Sequence, residues 1–443
     1  MNNYEFFGDI LNNINLFFGI LLFSFILHYL LFRNQVKSFL DPYFISVFSS
    51  VFCFTDVFFM YFVNKISFYI FASYVLTQIS FILGFYTFKK RKVSLVDVNK
   101  NLDSKKNVSS NNLIAFYFFS FIYLTSQCII YATKGIPLFM VSRLETFSDG
   151  GGSGVLGRIT EVSSIFSLYA FFLVIKIDKI RPSEFLKYFV IGLIFLTFML
   201  SGSKSSFLTF FYVFWCYIVF SQIKGGNYQA YLSLLKNNIR NIVVVSITLA
   251  CVVIYIQSKS KQEEGDISEA MNPIVEMAFR FVYSGDIYWF SYPNNVYQSI
   301  PSDRGITALF GDVFGLFRIY DWAEMPQAIG LTMKRYHHPS DIITGSNARH
   351  NVFGLIYYGF IGSVFFSYTL GLVLSFIRNK LPHYLKYTFF GGGIFTYLII
   401  KTAGLDTDPP LAITYLDNLF FVFPVMFFGY LVLIELMKFK YNE

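Results

Sequence analysis

A chain of 443 residues with 55% apolar residues, 14% charged residues and a mean hydropathy of +0.53 is not a string of soluble domains. Its net charge of +8 comes from basic residues at the ends of apolar runs, not from one polar patch, which excludes nucleic-acid binding as the reason for that charge. The expected fold class is an all-α polytopic membrane protein. Phe (58) and Tyr (32) suit lipid-facing and interfacial positions.

In chain order, eleven apolar runs each approach the roughly 20 residues that a bilayer crossing requires. They cover 14–32, 43–63, 66–88, 113–131, 159–176, 187–201, 206–222, 241–258, 353–377, 387–403 and 415–437. The expected organisation is a bundle of eight spans over 1–258, a large polar loop over 259–352 and three spans over 353–443. The first run lacks a basic leader, so no cleavable signal is expected. Cys53, Cys128, Cys216 and Cys251 all fall inside apolar runs without CxxC spacing, which supports neither a disulfide framework nor a zinc site.

Lys and Arg set the orientation. With the N-terminus outside, the loops near 33–41, 89–112, 176–187, 223–240 and 378–386 and the C-terminal tail hold 21 Lys/Arg, against five in the opposite short loops. The first group is therefore expected to be cytoplasmic and the 259–352 loop to face outward. Lys89-Lys90-Arg91-Lys92 reads as a topology anchor, and no P-loop, GxGxxG or HExxH occurs.

Two outer loops carry candidate chemistry. The first, 132–158, holds Arg143, Glu145 and the glycine run 150–152, whose backbone freedom suits either closure over a substrate or a mobile surface. The second, Lys259 to His350, holds eight Lys/Arg, eleven Asp/Glu and three of the five histidines, too much for a connector. Within it, Ile274 to Tyr292 reads as a helix lying on the membrane surface, with Pro273 at its start and Glu276 and Arg280 at i,i+4 spacing. Arginines at a membrane face are forked ligands for pyrophosphate. A histidine at the same depth, such as His350 at the mouth of a helix beside Arg349, can take a proton from an attacking hydroxyl. A structural hydrogen bond explains such a histidine equally well. His337-His338 are adjacent, which is a poor arrangement for ligating one metal ion.

With about eleven spans, a large late outer loop and Phe-rich helices, the chain resembles the Wzy-type O-antigen polymerases and the wider O-antigen ligase and polymerase superfamily. His350-Asn351 ahead of Gly359-Phe360-Ile361-Gly362 resembles the His-Asn and GxxG of the ligases, at a shorter spacing. Arg143 to Gly154 and Arg304 to Gly315 fit the Arg-x10-Gly pattern of the polymerases. Gly202-Ser203-Lys204 resembles their Gly-Ser-Arg, keeping the charge but not the fork.

The resemblance implies a glycosyltransferase C-like bundle in the bacterial inner membrane, with a periplasmic N-terminus and a cytoplasmic C-terminus. The implied activity is metal-independent transfer of a growing glycan from undecaprenyl pyrophosphate to the non-reducing end of a lipid-linked repeat unit at the periplasmic face. No cofactor is expected; a chain-length regulator protein is a possible partner beside membrane lipids. In this reading His350 is the base, and Arg143, Lys204, Arg280, Arg304 and Arg349 hold pyrophosphate. Asp286, Asp312 and Asp321 are reserve bases, and Asp56 and Asp417 are expected to face the bundle interior. An O-antigen ligase, a lipid-linked oligosaccharide flippase and a membrane O-acyltransferase stay open as alternatives. Against a transporter stands the lack of an evident internal repeat.

Overall fold

A computed structural model describes residues 1–36, 38–88, 110–140, 154–175, 184–202, 204–226, 281–321, 324–339 and 345–442. Among them the regular structure is helical, with no strand. The helices are α1 (Asn3–Asn12), α2 (Ile14–Phe32), α3 (Tyr43–Phe62), α4 (Phe68–Tyr86), α5 (Ser110–Lys134), α6 (Gly154–Val174), α7 (Phe185–Leu200) and α8 (Lys204–Lys224). There follow α9 (Asp286–Ser291), α10 (Gly305–Leu309), α11 (Gly311–Leu316), α12 (Ile329–His337), α13 (His350–Asn379), α14 (Leu381–Tyr384), α15 (Phe389–Thr402) and α16 (Pro409–Asn442). Among the described residues eight helices are long and apolar enough to cross a membrane, and α7 and α15 are shorter apolar helices. The protein is therefore an all-α, membrane-embedded chain. The expected span over 241–258 lies outside the described residues.

Two expectations are corrected. The run 353–377 is not one through-going helix. Gly359 has φ 66° and ψ −171°, a conformation open to glycine and hardly to other residues. The helix reverses there: His350 meets Ser367, Phe353 stacks on Phe366 at 5.5 Å, and a Cβ on Gly354 would lie 2.9 Å from Ser363 Cβ. These pairs converge on Gly359, so α13 is a hairpin with a short arm, 350–358, and a long arm, 360–379. The long arm alone spans ~30 Å.

The second correction concerns the expected surface helix over 274–292, whose first part lies outside the described residues. Its remainder is a 3-10 turn (Tyr283–Gly285) followed by α9, and Ile287, Tyr288, Trp289, Phe290 and Ser291 are all buried. A helix lying on a membrane buries one face only. Here α1 helps to seal α9: Trp289 stacks on Phe6 at 4.1 Å and donates to Asn3 Oδ1 at 3.0 Å. Asn2 and Glu5 cap α1 reciprocally, fixing that lid.

The chain forms two compact units. Unit 1 comprises Met1–Lys90, Ser268–Lys380 and Lys401–Tyr415. In it, α4 runs against the long arm of α13, and backbone nearly touches backbone at Gly84 and Gly371: a Cβ on Gly84 would sit 2.8 Å from the Leu372 nitrogen. At one end Arg378 donates to both oxygens of Asp41, at 2.9 and 2.6 Å, with the guanidinium 5.3 Å over the Tyr43 ring. Unit 2 comprises Arg91–Ile267, Leu381–Ile400 and Leu416–Glu443. Its helices α5, α6 and α7 interlock through paired hydroxyls, Ser120 with Ser167 and Tyr123 with Thr197, each at 2.6 Å. Cys53 and Cys216 are buried and Cys128 is exposed; Cys251 lies outside the described residues.

Candidate functional site

Among the described residues, a cluster of buried charged groups lies in unit 1 and begins with α3. Ser46, Ser49, Ser50, Cys53 and Asp56 recur at helical spacing and make one polar stripe on an otherwise Phe-rich helix. Against this stripe fold the 3-10 turn before α9, the corner entering α13, and the turn between α15 and α16.

Arg349 stands at the corner with φ 43° and ψ 135°, which costs a residue with a side chain ~1–3 kcal/mol. Two backbone hydrogen bonds hold it there: Arg349 N–H donates to Thr407 O at 2.8 Å and His350 N–H to Asp406 O at 3.2 Å. These carbonyls also satisfy donors that open the short arm of α13. The Arg349 side chain is 2% exposed. Its Nη2 donates to Ser49 Oγ and, at 2.9 Å, to Ser284 O, while Nε is buried without a partner. Among the described residues no carboxylate lies within ion-pair distance of it.

His350 is 1% exposed, lies against Phe81 with ring centroids 4.9 Å apart, and places Nδ1 2.9 Å from Ser367 Oγ; Nε2 is buried without a partner. Ser367 lies ~10 Å along the long arm from the reversal, so His350 sits inside the unit. His350 is the first residue of α13, as a histidine at the mouth of a helix should be, and the hairpin buries it. Asn351 is by contrast fully engaged: Oδ1 accepts from Tyr288 at 2.7 Å and Nδ2 donates to Thr77 Oγ1 at 2.8 Å.

Carboxyls surround this corner. Asp406 is buried and accepts from Ser46 and, at 3.3 Å, from Ser50. Burial pushes its carboxyl up from the usual range, partly offset by Arg349 and the two hydroxyls. Asp408 and Asp286 are partly buried, and desolvation pushes each up to about 6. Asp56 is fully buried and, among the described residues, neither carboxyl oxygen has a hydrogen-bond partner.

Of the other expected pyrophosphate-holding residues, Arg304 alone has a described side chain. Arg304 is exposed and donates to Glu324 O at 3.0 Å, away from the Arg349 corner. Lys204 is the first residue of α8, in unit 2, and its side chain lies outside the described residues, as do Arg143 and Arg280 entirely. Among the reserve acids, Asp286 borders the corner through its interaction with Arg349. Asp321 is exposed, Asp312 is on α11, and Asp417 belongs to unit 2. His337 packs on Phe290, and its Nε2 donates to Phe290 O at 2.8 Å. Among the described residues no group of three His, Cys, Asp or Glu is placed to hold a metal ion.

Sequence reasoning missed the stripe on α3 and the Asp406–Asp408 turn. The stripe was visible as polar residues three or four apart within an apolar run. Chemically, the corner offers a forked cation, a histidine nitrogen with spare capacity and carboxyls in a dry interior. Comparisons with protein-family models, curated proteins and solved structures find no match for this chain.

Proposed function

We propose that the protein is an O-antigen polymerase of the Wzy type, a metal-independent glycosyltransferase that uses a glycan on undecaprenyl pyrophosphate. The observation that carries this reading is the Arg349–His350 corner inside a membrane-embedded unit. A buried guanidinium without an ion-pair partner has capacity for an anionic ligand, and Nε2 of His350 has capacity for a proton. In the proposed reaction the acceptor hydroxyl oxygen attacks the anomeric carbon of the donor. The new C–O bond forms as the bond to the pyrophosphate oxygen breaks, and undecaprenyl pyrophosphate leaves with the electron pair. With Nδ1 protonated and directed to Ser367, His350 takes the hydroxyl proton at Nε2. Arg349 stabilises the charge growing on the leaving group. Arg143, Lys204, Arg280 and Arg304 keep their proposed role of holding pyrophosphate on the sequence reading alone.

A second reading, a lipid-linked oligosaccharide flippase, draws on the hairpin of α13. Discontinuous helices whose ends point into a unit are how transporters build ligand sites. Deleting the gene in its host and resolving the lipopolysaccharide on a gel separates the readings. A polymerase leaves core capped with a single repeat unit, and the wild-type gene restores the ladder while His350→Ala and Arg349→Ala do not. Bare core after deletion contradicts the polymerase and favours the flippase or a ligase.

A further inference from the structure

Asp56 lies in the interior of unit 1 on a helix that is apolar enough to cross a membrane. An ionised carboxylate there is shut off from solvent and has no donor among the described residues, whereas a protonated one gives up much less on burial. Its carboxyl abuts the backbone of Gly285, where an added Cβ would lie 3.1 Å from Asp56 Cγ, and the next residue is Asp286. Arg349 is the nearby cation, yet its guanidinium is turned to Ser49 and Ser284 and forms no ion pair with Asp56. The other titratable groups facing the pair are Cys53 on α3, Tyr74 on α4, Tyr283 in the 3-10 turn and Lys334 on α12, while Asp406 and Asp408 face Arg349. One guanidinium therefore faces a surplus of carboxyls.

We infer that Asp56 and Asp286 form a proton-binding site, in which Asp56 holds a proton in the interior and the partly open Asp286 exchanges it with solvent. Asp286 stands outside the spanning helices, and burial pushes its carboxyl up to about 6, against the pull of Arg349 and Lys334. Swinging Arg349 onto the pair favours the charged carboxylate and releases the proton. Protonation is thereby tied to the conformation of the Arg349 corner. This site holds whether the protein transfers or transports glycans.

Infrared spectroscopy of the full-length protein in detergent tests it without reference to activity. The wild type is expected to show a protonated-carboxyl C=O band at neutral pH that shifts in D2O, and Asp56→Asn is expected to lose that band. In thermal unfolding, the wild-type Tm should fall as pH rises through neutrality, and Asp56→Asn should reduce that fall. Absence of the band in the wild type overturns the proposal, and that arm needs no variant to fold. Persistence of the band in Asp56→Asn, or a Tm lowered equally at every pH, overturns it as well.

Discussion

Among the described residues of unit 1, Arg378 and Arg349 are held in opposite ways. At one end Arg378 is saturated: a bidentate pair with Asp41, a Tyr43 ring beneath it, and 6% of its side chain exposed. In the interior Arg349 has a hydroxyl and a carbonyl but no carboxylate partner, a buried Nε without an acceptor, and a strained backbone. A buried charge that only holds a fold together is expected to be fully paired, since each unmet group costs stability. Arg378 meets that standard and Arg349 does not, which makes Arg349 the residue with binding capacity to spare. Unit 2 sharpens the contrast, because several of its interior polar contacts are neutral hydroxyl pairs that leave little for a charged ligand.

The largest expected effect breaks the paired side of this contrast. Arg378→Ala leaves Asp41 buried and unpaired and should cost ~3–5 kcal/mol in reversible unfolding. The double change Arg378→Met with Asp41→Leu should recover most of that loss. Arg349→Lys tests the other side. It keeps the charge and removes the fork, so glycan assembly should fall on the order of 10- to 100-fold, the worth of one or two charge-assisted hydrogen bonds, with Tm nearly unchanged. If instead Tm drops as far as in Arg378→Ala while assembly per folded protein is kept, Arg349 is structural too.

Gly359→Ala examines the reversal that carries the corner inward. An alanine at φ 66° and ψ −171° should cost ~1–3 kcal/mol and loosen the His350–Ser367 contact. A neutral effect on both stability and assembly counts against the hairpin. The smallest effect concerns Asp408, whose side chain accepts from Leu411 N–H at the start of α16 and whose carboxyl is pushed up to about 6 by burial. A raised acid pKa contributes stability that is full below the usual carboxylate range and is lost as pH rises through about 6. Asp408→Asn keeps the cap and should flatten that decline, measurable as a smaller difference in Tm between about pH 5 and about pH 8.

Much of the fold was legible because long apolar runs report their own length: the expected span at 14–32 is α2 residue for residue, and 43–63 and 206–222 fall on α3 and α8. The hairpin was not, since Tyr357-Tyr358-Gly359-Phe360 continues an apolar run and only contacts such as His350 with Ser367 reveal the reversal. Arg349 and His350 stood out as an ionisable pair opening an apolar run. Their surroundings did not, because Ser46 and Ser50 lie about 360 positions from Asp406 in the chain and meet it only through tertiary folding. Arg304 matched a spacing pattern, but its hydrogen bond goes to Glu324 O and not to the Arg349 corner.

The most direct measurement is polymerisation by the purified full-length protein in nanodiscs, supplied with undecaprenyl-pyrophosphate-linked repeat unit and no other protein. The account predicts products of two or more repeats with matching release of undecaprenyl pyrophosphate, abolished by His350→Ala and sharply reduced by Arg349→Lys. Unchanged lipid-linked monomer from folded wild-type protein, or full product from folded His350→Ala, contradicts it.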